Sequence, residues 1–171
     1  MNGKYMAYVG SYSYTGKAKG ITVYDVDVEN GVFKERCEME VDNSSYVIAS
    51  SDGKTLYSIA DEGVVSFRIL QNGSLARLNS SPIRGMRGCH LCTDMEDKYV
   101  FVSGYHDGKT TVLSLNKDGS VGEIVDEVYH KGYGSVAERN FRSHITCTRR
   151  MPDGRYVLSV DNGTDQAKLY R

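Results

Sequence analysis

The polar and apolar positions of this chain alternate in short runs, and the runs recur. A cation opens each of four similar segments: Lys4-Tyr5-Met6-Ala7-Tyr8-Val9-Gly10, Lys54-Thr55-Leu56-Tyr57-Ser58-Ile59-Ala60, Lys98-Tyr99-Val100-Phe101-Val102-Ser103-Gly104 and Arg155-Tyr156-Val157-Leu158-Ser159-Val160-Asp161. Each continues as a brief β-branched, aromatic or apolar stretch, the pattern of a strand. Asp52-Gly53 and Asp153-Gly154 precede two of them as hairpin turns; Glu96-Asp97 takes that place in a third, with less ideal turn chemistry. A second strand follows each time, at 20–24, 63–67, 109–113 and 166–170, and a third begins after Asn30-Gly31, Asn72-Gly73 and Asp118-Gly119. The strands expected innermost are 46–50, 90–93 and 144–148. No stretch keeps the apolar stripe of a helix.

The turn glycines Gly31, Gly73 and Gly119 stand 42 and 46 residues apart. A period of about 45 residues with four strands per unit predicts an all-β fold built from β-propeller blades. A β-sandwich made of hairpins is the competing architecture, and the repeated order of the turn chemistry favours the propeller. The expected blades are 4–41, 45–80, 88–129 and an incomplete 143–171. The first would start at its second strand and the fourth would stop at its third, giving three and a half blades. That count predicts a piece of a longer protein or a truncated product. Its open strand edges would favour self-association or a companion chain.

Composition narrows the function classes. Of the 171 residues, 40% are hydrophobic and 25% charged, which suits a globular core rather than disorder. The net charge is -1 and no Lys/Arg block stands out, so neither a nucleic-acid footprint nor a membrane-binding face is expected. No apolar run is long enough for a spanning helix. The first residues lack the apolar core of a signal peptide, and Cys37, Cys89, Cys92 and Cys147 therefore read as reduced thiols of a cytoplasmic protein.

Candidate chemistry gathers in the second half, where all four histidines lie: His90, His106, His130 and His144. The clusters are Gly88-Cys89-His90-Leu91, Gly104-Tyr105-His106-Asp107-Gly108, His130-Lys131-Gly132-Tyr133-Gly134, Ala137-Glu138-Arg139-Asn140 leading into Ser143-His144, and Asp161-Asn162-Gly163-Thr164-Asp165. These residue types suit attack on an ester-like carbonyl. A His or Glu can activate water, and an Arg can hold a phosphate or balance a developing oxyanion. The bland readings are a locally hydrogen-bonded His106, a surface ion pair for Glu138-Arg139, and a structural turn for Asp161 and Asp165. Cys89 and Cys92 lie three apart, so on a strand they face opposite sides, and no second pair exists to complete a zinc site. Nucleophile-elbow, zincin and phosphate-loop motifs are absent, so neither metal nor cofactor is expected.

Several of these elements, in order, resemble the propeller lactonase family that includes bacterial 6-phosphogluconolactonases. They are Tyr8-Val9-Gly10-Ser11-Tyr12 with Gly20-Ile21, Ser51-Asp52-Gly53-Lys54-Thr55-Leu56-Tyr57, His90-Leu91, the His130-x-Gly-x-Gly134 loop with Glu138-Arg139 and Ser143-His144, and Pro152-Asp153-Gly154-Arg155-Tyr156 through Asp161-x-Gly163-x-Asp165. The resemblance implies a seven-bladed ring and hydrolysis of a sugar lactone, phosphorylated or not, in the pentose phosphate route. It also implies a metal-free central cleft with Arg139, His144 and Glu138 as catalytic residues, and His90, Tyr105 and His130 as substrate-binding neighbours. The sequence departs from the family pattern at Thr146, which replaces the second histidine of a His-x-His pair, at Gly104 and Asn140, and at Cys89 ahead of His90. Those departures leave a non-catalytic module binding a sugar acid or a protein, or an inactive fragment, as the alternatives.

Overall fold

A computed structural model describes residues 5–136 and 140–171. Among these residues, fourteen strands form four antiparallel sheets. The first contains β1 (Tyr5–Gly10), β2 (Gly20–Asp27) and β3 (Val32–Glu40); the second β4 (Val47–Ala49), β5 (Thr55–Ile59), β6 (Gly63–Ile69) and β7 (Leu75–Pro82). The third contains β8 (His90–Thr93), β9 (Tyr99–Gly104), β10 (Lys109–Leu115) and β11 (Val121–Tyr129); the fourth β12 (Ile145–Arg150), β13 (Val157–Asp161) and β14 (Gln166–Tyr170). Within every sheet the strands are neighbours in chain order. The four cation-led segments become β1, β5, β9 and β13. Among the described residues no helix is long and apolar enough to cross a membrane.

The repeat extends to irregularities that the residue pattern did not announce. The register slips at Val23/Tyr24, Ser66/Phe67 and Val112/Leu113, the same place in the pairing of the last two strands of each of the first three sheets. A bulge there increases the local twist of each sheet. Turn chemistry is likewise preserved by substitution. Gly53 (φ 68°) and Gly154 (φ 70°) take left-handed conformations, and Asp97 takes the same role in the third sheet at φ 51°. An aspartate tolerates that region better than most residues, and its Oδ2 accepts the Ser51 amide at 2.7 Å.

Packing between sheets follows the two-residue period of a strand. All of β5 is buried. Leu56 points into a cluster with Ile21, Val23, Val41, Val65, Phe67 and Leu75, between the first and second sheets. Its neighbour Tyr57 points the other way, into a cluster with Ile59, Val64, Ile83, Leu91, Val100, Val102, Leu113 and Val121, between the second and third. A strand covered on both faces carries apolar residues on both, as β5 does with Leu56 on one face and Tyr57 and Ile59 on the other.

The contact between the third and fourth sheets is built differently. Buried hydroxyls meet there: Ser103 Oγ donates to Thr148 Oγ1 at 2.9 Å, Thr148 Oγ1 and Ser159 Oγ are 3.1 Å apart, and Thr110 Oγ1 lies 3.2 Å and 3.3 Å from the same two partners. Each hydroxyl can both donate and accept, so the cluster closes on itself without unpaired polar atoms. This polar junction carries the candidate site.

Candidate functional site

The four cation-led segments end in Gly10, Ala60, Gly104 and Asp161. The fourth copy alone places a charge where the strand meets the turn, and the local structure is organised around it. Asp161 is 1% exposed. Its Oδ1 accepts the backbone amides of His144 (2.8 Å), Gly163 (2.9 Å) and Thr164 (3.1 Å). Its Oδ2 accepts Ser143 Oγ at 2.6 Å and faces His130 Nδ1 at 3.0 Å. Burial alone would raise the pKa of this carboxyl. The donors from Ser143, His144, His130 and Thr164 outweigh it and hold the value down, at about 2.

The carboxylate therefore assigns the His130 tautomer. An ionised carboxylate only accepts, so Nδ1 carries the proton and Nε2 accepts from the Tyr170 hydroxyl at 2.7 Å. Burial pushes the His130 pKa down; the Asp161 bond opposes that without reversing it. With its side chain fully buried and both ring nitrogens occupied, His130 has no free edge for a ligand.

Backbone approach completes the arrangement. A Cβ on Gly163 would stand 1.9 Å from the Arg142 carbonyl oxygen, so only glycine lets the turn close against residues 142–144. Asp165, itself left-handed at φ 53°, accepts Ser135 N at 2.6 Å, Ser135 Oγ at 2.8 Å and Asn140 Nδ2 at 3.0 Å. The turn between β13 and β14 thus ties down the connection from β11 to β12 at His130, Ser135, Asn140, Ser143 and His144.

His144 sits at the inner end of that connection. Its Nδ1 is 2.8 Å from the Tyr105 carbonyl oxygen, an acceptor only, so the proton of the neutral ring is on Nδ1 and the lone pair on Nε2. The ring stacks on Tyr105 at 4.3 Å and 19° and meets Phe141 edge-on at 6.3 Å. A base held in one tautomer and one plane, with its lone pair unengaged among the described residues, can take a proton from water.

The other residues named from the sequence are distributed as follows. Tyr105 joins His144 through its ring and its carbonyl, and exposed His106 packs edge-on against the Tyr105 ring. His90 lies at the start of β8, 8% exposed, with its ring 4.6 Å from that of Tyr46 and Nε2 3.5 Å from Cys147 Sγ. Its Nδ1 is buried with no partner among the described residues, and burial, then Arg149, pushes its pKa down. A pocket of about 340 Å³ lined by His90, Tyr46 and Arg149 opens beside it. Glu138 and Arg139 lie outside the described residues. Cys89 bonds toward the Ile145 carbonyl and Cys92 toward the Thr93 carbonyl. No group of three or more His, Cys, Asp or Glu among the described residues is arranged to hold a metal ion. In the sequence Asp161 reads as a turn residue, and nothing marks Ser143 or Tyr170 as members of this network. The available signal was the charge at Asp161 where the other three copies have glycine or alanine.

Sheets of three and four antiparallel strands, repeating with a common bulge and carrying polar groups on their connecting ends, define the chain as part of a β-propeller. The seven-bladed β-propeller lactonase family model matches residues 6–171, and the chain belongs to that family. It is 33% identical over 174 residues to the 6-phosphogluconolactonase of Bacillus subtilis, a match covering 98% of this chain and 49% of that protein. A Bacteroides fragilis structure, described as that of a candidate 6-phosphogluconolactonase, superposes with a TM-score of 0.90 at 32% identity, over 98% of this chain and 48% of that one. The periplasmic gluconolactonase of Pseudomonas aeruginosa superposes with a TM-score of 0.89 at 25% identity, over 97% and 49%. The chain thus spans about half the length of the relatives it matches.

Proposed function

We propose that the chain carries part of the catalytic machinery of a sugar-lactone hydrolase of the 6-phosphogluconolactonase type. The observation that carries this reading is His144: Nδ1–H bound to the Tyr105 carbonyl, the ring stacked on Tyr105, and Nε2 left as the basic atom. In the proposed step, Nε2 takes a proton from water as the water oxygen bonds to the lactone carbonyl carbon. The carbonyl oxygen becomes an oxyanion, which Arg139 balances. Collapse re-forms the carbonyl and breaks the bond to the ring oxygen, which receives the proton and becomes a hydroxyl. The product is the open-chain acid. Glu138 is assigned as a second acid-base group. Tyr105 and His90 are assigned to substrate contact, His90 because it flanks the pocket shared with Arg149. The proposed substrate is a phosphorylated gluconolactone. The four thiols are unpaired in the structure, which supports a reducing compartment, the cytoplasm.

A second reading is a module that binds a sugar acid without turning over a lactone. Thr146 favours it, since its hydroxyl bonds to the Val160 carbonyl where a second cleft histidine is expected from the resemblance. Proton release from glucono-lactone with and without a 6-phosphate, corrected for spontaneous hydrolysis, separates the readings. Acceleration with a preference for the phosphorylated lactone supports the hydrolase. Gluconate 6-phosphate binding without acceleration of either lactone overturns it in favour of the binding module.

A further inference from the structure

We propose that Asp161 is the positioning residue of this site and that His130 is its buried brace rather than a substrate contact. The catalytic meaning of this assignment rests on the hydrolase reading; the bonds themselves do not.

One carboxylate gathers five donors from three segments. Two come from the start and end of the β11–β12 connection, His130 Nδ1 and Ser143 Oγ. One is the backbone amide of His144. Two are the amides of its own turn, Gly163 and Thr164. A carboxylate has about four lone-pair directions, so these donors saturate it and nothing is left for a ligand. The same saturation leaves Asp161 no freedom to move without releasing the His144 backbone. A residue whose backbone is fixed by Asp161 and whose ring is fixed by the Tyr105 carbonyl has its lone pair aimed from two sides. His130 extends the brace outward: its second nitrogen is held by Tyr170 of β14, so the third strand of the fourth sheet is coupled to the connection that leads into the site.

The arrangement makes separate demands on the two halves of the carboxylate. In Asp161→Asn, the amide oxygen can replace Oδ1 and keep all three backbone donors. The amide nitrogen then faces Ser143 and His130 Nδ1. Nδ1 must give up its proton and accept, which moves the proton to Nε2, where the Tyr170 oxygen can accept it. The opposite amide orientation would set an NH2 group against three backbone N–H groups and is disfavoured. In Asp161→Ala all five bonds are lost, and the His144 backbone is released with them.

The test is long-range 15N–1H correlation of the imidazoles in the histidine-labelled chain. In the unmodified protein, His130 and His144 both show the Nδ1–H tautomer. Asp161→Asn moves His130 to the Nε2–H tautomer and leaves His144 in place. Asp161→Ala displaces His144 toward the averaged signals of an unconstrained ring, while Ser143→Ala, which spares Oδ1, does not. The proposal is overturned by an Nε2–H signal for His130 in the unmodified chain, by an unchanged His130 in Asp161→Asn, or by an unchanged His144 in folded Asp161→Ala. Should the alanine variant not fold, the asparagine variant decides. In lactone turnover, Asp161→Ala is expected to lower kcat by about tenfold with KM within about twofold, the pattern of a lost alignment rather than a lost contact, while Asp161→Asn, which keeps His144 in place, stays within about twofold of the unmodified chain. Absence of turnover in the unmodified chain counts against the hydrolase reading alone, and the imidazole signals still decide the positioning.

Discussion

The second sheet meets both of its neighbours around buried apolar clusters, with polar bonds such as Asn79 to Val121 and Tyr8 to the Gly73 carbonyl beside them, whereas the third and fourth sheets meet at a buried hydroxyl cluster with two imidazoles and a carboxylate nearby. The apolar contacts are non-directional and tolerate sliding, so they set stability more than position. The polar contact has few ways to be satisfied and therefore fixes geometry, at the risk of a large loss when one member is removed. The fold is held where side chains need only be buried, and the site is placed where groups must point in defined directions.

The largest expected effect strikes the apolar side. Phe67 is fully buried at the centre of the cluster between the first two sheets. Phe67→Ala is expected to destabilise by about 3–5 kcal/mol, through lost transfer energy and the cavity left behind. Urea unfolding monitored by circular dichroism measures it. A loss below about 1 kcal/mol would show that this junction does not hold the fold.

Acid should strike the polar side next. The folded pKa of Asp161, about 2, lies below the ordinary carboxylate value. Its stabilisation is thus complete above about pH 4 and is lost as pH falls through about 2, a contribution of about 2 kcal/mol. His130, whose pKa burial depresses, adds a loss of the same sign that begins higher, as pH falls below the ordinary histidine value. Urea midpoints between pH 7 and 2 should therefore decline, and Asp161→Asn should remove the component between about pH 4 and 2. An identical decline in the variant would remove Asp161 from the account.

The smallest effect is expected inside the hydroxyl cluster. Thr148→Val keeps the shape of the side chain and removes its bonds to Ser103, Thr110 and Ser159. Thr110 and Ser159 retain each other, so only Ser103 is stranded. A loss of about 1–2 kcal/mol follows in the same unfolding experiment, with the imidazole signals of His130 and His144 unmoved. Displacement of those signals would join the hydroxyl cluster to the site and blur the contrast between the two kinds of junction.

The sequence disclosed the repeat because strands and turns are local: a cation, a short β-branched run and a glycine suffice to mark them. It did not disclose the bulges at Val23, Ser66 and Val112, because valine and serine there are ordinary strand residues and the slip depends on sheet twist. The hydroxyl junction was hidden as well, since Ser103, Thr110, Thr148 and Ser159 are ordinary strand residues until another sheet brings them together. His144 was visible as a type, but its orientation depends on a backbone carbonyl at Tyr105, which no side-chain motif encodes. His130 shared its motif with the site residues and proved to be enclosed by Asp161 and Tyr170.

The central claim is that His144 Nε2 activates water against a lactone. Its most direct test is the hydrolysis rate of 6-phosphoglucono-lactone, above the spontaneous rate, for the unmodified chain and for His144→Asn. Asparagine can place its amide N–H where Nδ1 meets the Tyr105 carbonyl but has no basic nitrogen. The account predicts acceleration by the unmodified chain and a loss of about 10²-fold or more in the variant, with unfolding unchanged. Equal rates for the two proteins would contradict it.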